Sequence, residues 1–234
     1  MKKTHRGVLI SFFLIIILFT LFFIPLSYFA VFPGGLIPAN EVVLIDNPKE
    51  DSFFIITTSF YDNRFSPLLW ETNNFKINMF IYLLASLLKD ADVFPFPSEL
   101  EDDSDVIKEN QENLFNQSAN TSVKLALEYL NKSHANISFS QLAGPSASFS
   151  IALELVHQLG DDDLVRGRKI AASGELFPDG HVGEVGTIRQ KMITVERGGV
   201  DILLLPSETK EKPDSEGIVY VDNLTEAIAF LNNP

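Results

Sequence analysis

The sequence predicts an α+β domain with α/β-type alternation, carried behind a single N-terminal transmembrane helix. Three observations lead there. Gly7–Phe32 is a run of 26 residues without a charge, dominated by Phe, Leu and Ile. The last hundred residues alternate short β-rich runs with stretches of helical periodicity. Glycine, proline and aspartate punctuate the chain where one kind of run gives way to the next. At 234 residues there is room for one domain plus a membrane segment.

About 20 apolar residues span a bilayer as a helix, so Gly7–Phe32 is read as a retained transmembrane anchor. It is too long for the apolar core of a cleaved signal peptide, about 7–15 residues. Bulky Tyr28 and Ile37 also spoil the cleavage positions before Ala30 and Ala39. Lys2, Lys3 and Arg6 precede the run, which places residues 1–6 in the cytoplasm and the rest outside the cell membrane. Pro33-Gly34-Gly35 and Pro38 form an irregular exit. Glu41–Ile45 and Ser52–Phe60 are β-rich and flank a polar loop, the pattern of a hairpin with a long connection. Phe75–Leu88 has Ile77, Phe80, Ile81, Leu84 and Leu88 on one helical face. Ser98–Glu112 is acidic and poor in apolar residues, a solvated linker. Helical periodicity returns between Asn113 and Leu130. Residues 33–134 are therefore read as a membrane-proximal region and 135–234 as the principal domain.

In that domain Ser146–Leu159 reads as an amphipathic helix with Phe149, Ala152, Val156 and Leu159 inward and Ser150, Glu154 and His157 on the other side. A strand near Lys169–Ser173, a turn at Pro178-Asp179-Gly180 and a strand His181–Val185 follow. Next come a helix from Thr187 to Arg197, a stop at Gly198-Gly199, strands Ile202–Leu205 and Ile218–Val221, and a last helix Leu224–Leu231.

Charge and composition exclude several functions. The net charge is −13, and without Lys2, Lys3 and Arg6 the remainder carries −16. Such a surface repels phosphate backbones, so no nucleic-acid partner is expected. The chain has no cysteine, which removes disulfides, thiolate metal sites and a cysteine nucleophile. Its four histidines are scattered and none stands at ligand spacing to another. No metal or cofactor is expected, and no G-x-x-x-x-G-K-[ST] loop is present.

Two side chains stand out. Ser146 opens a helix, where a serine is ordinarily an N-cap. The same position offers amide donors and the positive dipole end to an oxyanion forming beside it. Lys191 lies beside an apolar face made by Ile188, Met192 and Val195. A lysine there either snorkels to water or is partly desolvated, and desolvation lowers its pKa toward that of a general base.

The ordered series Gly144-Pro145-Ser146-Ala147, Ser173-Gly174-Glu175, Gly180-His181-Val182 and Gly186-Thr187-Ile188-Arg189-Gln190-Lys191 resembles the proteolytic domain of Lon proteases. The resemblance covers roughly residues 138–210 and continues through Glu196-Arg197-Gly198-Gly199-Val200 and Leu205-Pro206. It implies a Lon proteolytic-domain fold in which Ser146 is the nucleophile, Lys191 the base and Ser173 the hydroxyl that orients the lysine. Gly144, Pro145 and Ala147 would form the nucleophile turn and oxyanion region. The sequence departs from the family at Ser148 and Thr187, where the family has glycine, and at Arg189, where it has lysine.

The N-terminal half is similar to a narrower group, bacterial membrane-anchored Lon-like proteins that usually carry a PDZ domain. Pro33-Gly34-Gly35, Phe53–Ser59, Ser66-Pro67-Leu68, Asp92-Val93-Phe94-Pro95 and the helix around Ser118–Leu130 carry that similarity. Only a few residues separate Leu130 from Phe139, where the PDZ domain would fall. The resemblance thus implies an ATP-independent Ser-Lys endopeptidase acting on extracytoplasmic proteins or peptides, and a homo-oligomer, since rings are common in that family. The alternative is a catalytically degenerate domain serving as a membrane-tethered scaffold.

Overall fold

The computed structural model describes residues 2–24, 26–61, 77–96, 104–140 and 144–233, and at 2–5, 23 and 104–112 it describes the backbone alone. The chain divides into two compact units, residues 1–32 with 59–107, and residues 33–58 with 108–234. The division differs from the one read from the sequence. Most of 33–58 and the stretch 108–134 pack in one core with the residues after 135.

The first unit opens with α1 (Lys2–Phe23). The expected membrane helix is shorter than the apolar run, because Tyr28–Phe32 belong to strand β1 (Tyr28–Pro38). Pro33, Gly34 and Gly35 likewise lie in this strand rather than in an irregular exit. Among the described residues, no helix is long and apolar enough to cross a membrane. Large apolar side chains from Val8 to Phe19 of α1 are exposed. Tyr28–Val31 pair antiparallel with β4 (Asp92–Pro95). Helix α3 (Met79–Leu87) is capped by the Asn78 side chain, which accepts from the Ile81 N–H at 2.9 Å. Ser66–Leu68 and residues 98–103 lie outside the described residues. Residues 104–112, read as linker, are the first turns of α4 (Ser104–Tyr129).

In the second unit β3 (Phe54–Phe60), β6 (Ile170–Ala172), β9 (Ile202–Pro206) and β10 (Ile218–Val221) run parallel. Their register sets Ile55 opposite Ala172, Ala172 opposite Leu204 and Leu203 opposite Ile218. Both faces are covered, so these strands are nearly continuous apolar runs. Ile55, Ile170, Ala172 and Leu204 enter one cluster with α5 (Ser148–Leu159) and α7 (Leu224–Asn232). Their alternates Ile56, Ala171, Leu203 and Leu205 enter another with α6 (Ile188–Gly198). Side chains alternate across a pleated sheet, so α5 and α6 cover opposite faces.

The expected hairpin of Glu41–Ile45 with Ser52–Phe60 does not form. A short helix α2 (Ala39–Val42) leads into β2 (Val43–Ile45), which pairs antiparallel with β5 (Ile137–Phe139). β3 instead joins β6, where an apolar strand finds partners on both faces.

The connecting loop is held by α5. Lys49 Nζ donates to the carbonyls of His157, Gly160 and Asp162 at the end of that helix, where a cation also meets the negative end of its dipole. This explains a second correction. Ser150, Glu154 and His157 do not face water, because α5 is buried from Ser148 to Gln158. Ser150 Oγ donates to the Ala172 carbonyl at 2.6 Å. Glu154 accepts from Phe53 N–H at 2.9 Å, Ser52 Oγ at 3.1 Å and Gln158 Nε2 at 2.8 Å. His157 accepts at Nδ1 from the Leu164 N–H and donates from Nε2 to the Asp51 carbonyl, a neutral tautomer. These three buried polar side chains of α5 are thus each matched to a partner, as burial requires.

Glu154 is fully buried, and burial pushes its carboxyl up to about 7 against the hydrogen bonds that favour the anion. A raised carboxyl pKa favours the fold below the unfolded value near 4.5, and that advantage is lost as pH rises to about 7. Glu154→Gln should therefore gain on wild type by up to about 3 kcal/mol in unfolding free energy between those limits, at 1.36 kcal/mol per unit. A urea-denaturation difference that stays constant across this range would refute the assignment.

Candidate active site

The carboxyl end of β6 is where the two faces of the sheet come together. Ser173 follows its last residue. α5 begins beside that end on one face, with its Phe149 N–H donating to the Gly174 carbonyl at 3.3 Å. α6 brings Lys191 there in its opening turns on the other face. Crevices at the carboxyl ends of parallel strands are where open α/β sheets place ligands.

Ser146 sits in a 3₁₀ turn, Pro145–Ala147, immediately before α5. Gly144 is the N-cap of that turn and Pro145 is at its first position, where a missing N–H is harmless. Neither this turn nor α5 has a side-chain cap bond, so Ser146 is not a capping serine. Its Oγ lies 2.9 Å from Lys191 Nζ, and Lys191 Nζ lies 2.9 Å from Ser173 Oγ. The three expected residues therefore meet. The backbone completes the arrangement, because the Gly174 N–H donates to the Ser146 carbonyl at 2.9 Å. A Cβ at Gly174 would stand 2.3 Å from Val182 Cγ1, so any larger residue would force the buried Val182 aside.

Lys191 is 4% exposed and Ser173 1%. Burial alone lowers the lysine from 10.5 to about 8. The expected Ile188, Met192 and Val195 stripe of α6 does pack inward, and the buried face extends beyond it. Gln190, Lys191, Thr194 and Val195 are its buried residues, with Ile188 and Met192 half-buried against the second cluster. The lysine lies inside and does not snorkel.

Three amides at the helix start have partners inside the chain. The amides of Ala147, Ser148 and Phe149 are committed to the carbonyls of Gly144, Pro145 and Gly174. The preceding residues 141–143 lie outside the described residues. Among the described residues, no cluster of three or more His, Asp or Glu side chains could hold a metal ion.

β7 (Glu175–Leu176) and β8 (Val182–Gly183) form a hairpin directly after Gly174, closed by the expected turn with Gly180 at φ 87°. A contact from α4 was not foreseeable from local pattern. Ser122 on that helix donates to the Ser148 carbonyl at 2.7 Å, and its position carried no motif that could have revealed it.

Thr187 precedes α6 at φ 53° and ψ 39°, the left-handed region where the related motif has glycine. A β-branched residue in that region is strained by about 1–2 kcal/mol. Replacing it with glycine adds unfolded-state entropy, which offsets part of the relief. Thr187→Gly should raise the unfolding free energy by about 0.5–1 kcal/mol in urea denaturation. A variant less stable than wild type would rule out the strain.

Residues 105–220 match the family model of the Lon protease (S16) C-terminal proteolytic domain. Lon protease 2 of Borreliella burgdorferi is 30% identical over 97 residues, covering 38% of this chain and 12% of the relative. A Lon protease of Heliobacterium modesticaldum is 37% identical over 68 residues, 29% of this chain and 8% of the relative. A Lon protease of Koribacter versatilis is 35% identical over 74 residues, 31% and 9% respectively. The chain thus spans only about a tenth of the length of these relatives. The motif residues that follow one another in the family's order also meet in space, and through residues 105–220 this chain belongs to the Lon (S16) proteolytic-domain family.

Proposed function

We propose that the chain is a membrane-anchored serine endopeptidase that cleaves extracytoplasmic proteins or peptides with a Ser146–Lys191 dyad. The observation that carries this reading is the amine of a buried lysine 2.9 Å from both serine hydroxyls. In its neutral form Lys191 holds a lone pair. As Ser146 Oγ attacks the substrate carbonyl carbon, its proton passes to Nζ and the carbonyl electrons move to oxygen. Collapse of the tetrahedral adduct breaks the C–N bond, and the Lys191 ammonium returns the proton to the leaving amine. A water molecule then attacks the acyl–Ser146 ester with Lys191 again as base, which releases the acid and restores the serine. Ser173, hydrogen-bonded to Nζ, limits the rotation of the amine and aims it at Ser146. No nucleotide-binding loop of the G-x-x-x-x-G-K-[ST] type occurs in the 234 residues, so nothing visible in them ties turnover to ATP.

Lys191 titrates near 8, and the base is the neutral form. Peptide cleavage should therefore fall about tenfold per pH unit below that value and level off above it. Ser146→Ala should lower kcat by at least about 10³-fold without loss of the folded circular-dichroism spectrum. Cleavage surviving in Ser146→Ala, or a flat profile between pH 6 and 9, would sink the dyad.

The membrane reading rests on the uncharged run from Gly7, the exposed apolar side chains of α1 and the basic residues ahead of them. The basic end would remain in the cytoplasm and the proteolytic domain would face outward. The full chain in a bacterial membrane should resist extraction by alkaline carbonate. Release into the supernatant would refute anchoring and leave the peptidase untouched.

A further inference from the structure

Ser148 stands where the family's nucleophile motif has glycine, and the structure shows what its hydroxyl does there. Its backbone, at φ −59° and ψ −33°, is ordinary right-handed helix, so no glycine is needed for conformation. The side chain is 1% exposed and points back into the turn that holds Ser146. Ser148 Oγ donates to the Pro145 carbonyl at 2.7 Å and accepts from the Leu176 N–H at 2.8 Å. The first bond closes the Pro145–Ala147 turn across Ser146. The second ties that turn to β7, whose preceding residue Gly174 holds the Ser146 carbonyl. From the other side, Ser122 of α4 donates to the Ser148 carbonyl at 2.7 Å, and Ser122 is fully buried.

We propose that Ser148 is a positioning residue for the nucleophile, a buried clamp through which α4, the Ser146 turn and the β7–β8 hairpin are held in one register. The proposal rests on the peptidase reading of Ser146. A hydroxyl has one proton to donate and lone pairs to accept with, and both functions are filled here. With glycine at this position in this structure, the N–H of Leu176, a residue only 2% exposed, would lose its acceptor. A buried amide left so is costly, and the hairpin would shift to repair it. A displacement of the nucleophile by a fraction of an ångström is enough to slow attack while leaving peptide binding almost unchanged.

The experiment compares wild type, Ser148→Ala, Ser148→Thr and Ser122→Ala in the full chain. A quenched-fluorescence peptide whose cleavage Ser146→Ala abolishes serves as substrate. Ser148→Ala should lower kcat about tenfold or more with KM within twofold. Labelling of Ser146 by a fluorophosphonate probe should slow in proportion. Ser148→Thr, which keeps the hydroxyl, should restore kcat to within about threefold of wild type. If Ser148→Ala does not fold, Ser122→Ala decides, because it removes the α4 tether and leaves the Ser148 hydroxyl with its own partners. A threefold or larger fall in kcat at unchanged KM is then expected. Wild-type cleavage that Ser148→Ala, or failing that Ser122→Ala, leaves within twofold would overturn the clamp and leave the peptidase standing. A KM that rises while kcat holds would also overturn it. A wild type that neither cleaves nor labels would overturn both readings together.

Discussion

The constraint on which the site depends is the burial of a lysine amine beside two hydroxyls. An ammonium in that place is poorly solvated, and burial alone accounts for the lowered pKa of Lys191. A buried carboxylate partner would have held the lysine charged and useless as a base. Hydroxyls do the opposite: they satisfy the amine's hydrogen bonds without fixing its proton. The arrangement costs stability below the lysine's folded pKa, where the buried group must carry its charge. Surrounding structure therefore has to hold the amine in place.

That structure is a parallel sheet with helices on both faces. Parallel strands all end on the same edge, and the helices before and after β6 both begin at that edge. The Ser146 turn and the first turns of α6 are thereby delivered to Ser173 from opposite sides. Gly174 allows Val182 to close against the turn, and Ser150 fastens α5 to the Ala172 carbonyl one residue before Ser173. Polar groups on α5 away from the site, Glu154 above all, bind the loop before β3 to the helix that starts just after Ser146.

Much of this was legible in the sequence, and the rest was hidden for physical reasons. Ser146, Ser173 and Lys191 could be named because their short motifs keep a fixed order. Likewise β9, β10, α7 and the Gly198-Gly199 stop follow from local pattern, Gly199 being left-handed at φ 60°. What failed was everything set by distant partners. β2 and β3 look like a hairpin because they are neighbours in sequence, yet their pairing partners Ile137–Phe139 and Ile170–Ala172 lie far downstream. A helical wheel places Ser150, Glu154 and His157 outward because it assigns polar residues to water. It cannot see that strand carbonyls and a loop amide supply the missing hydrogen bonds. β1 was lost inside an apolar run in which strand and membrane helix have the same composition.

Ser146 and Lys191 are 45 residues apart and reach each other only across the end of β6. α6 is the crossover from β6 to β9, so the lysine arrives only when that long-range connection has docked. A chain still emerging from the ribosome, or one whose sheet has opened, holds two inert halves: a solvated lysine near its ordinary pKa and a serine with no base. The proposed dyad is thus conditional on completion of the fold, since neither half finds its partner before the sheet edge has formed.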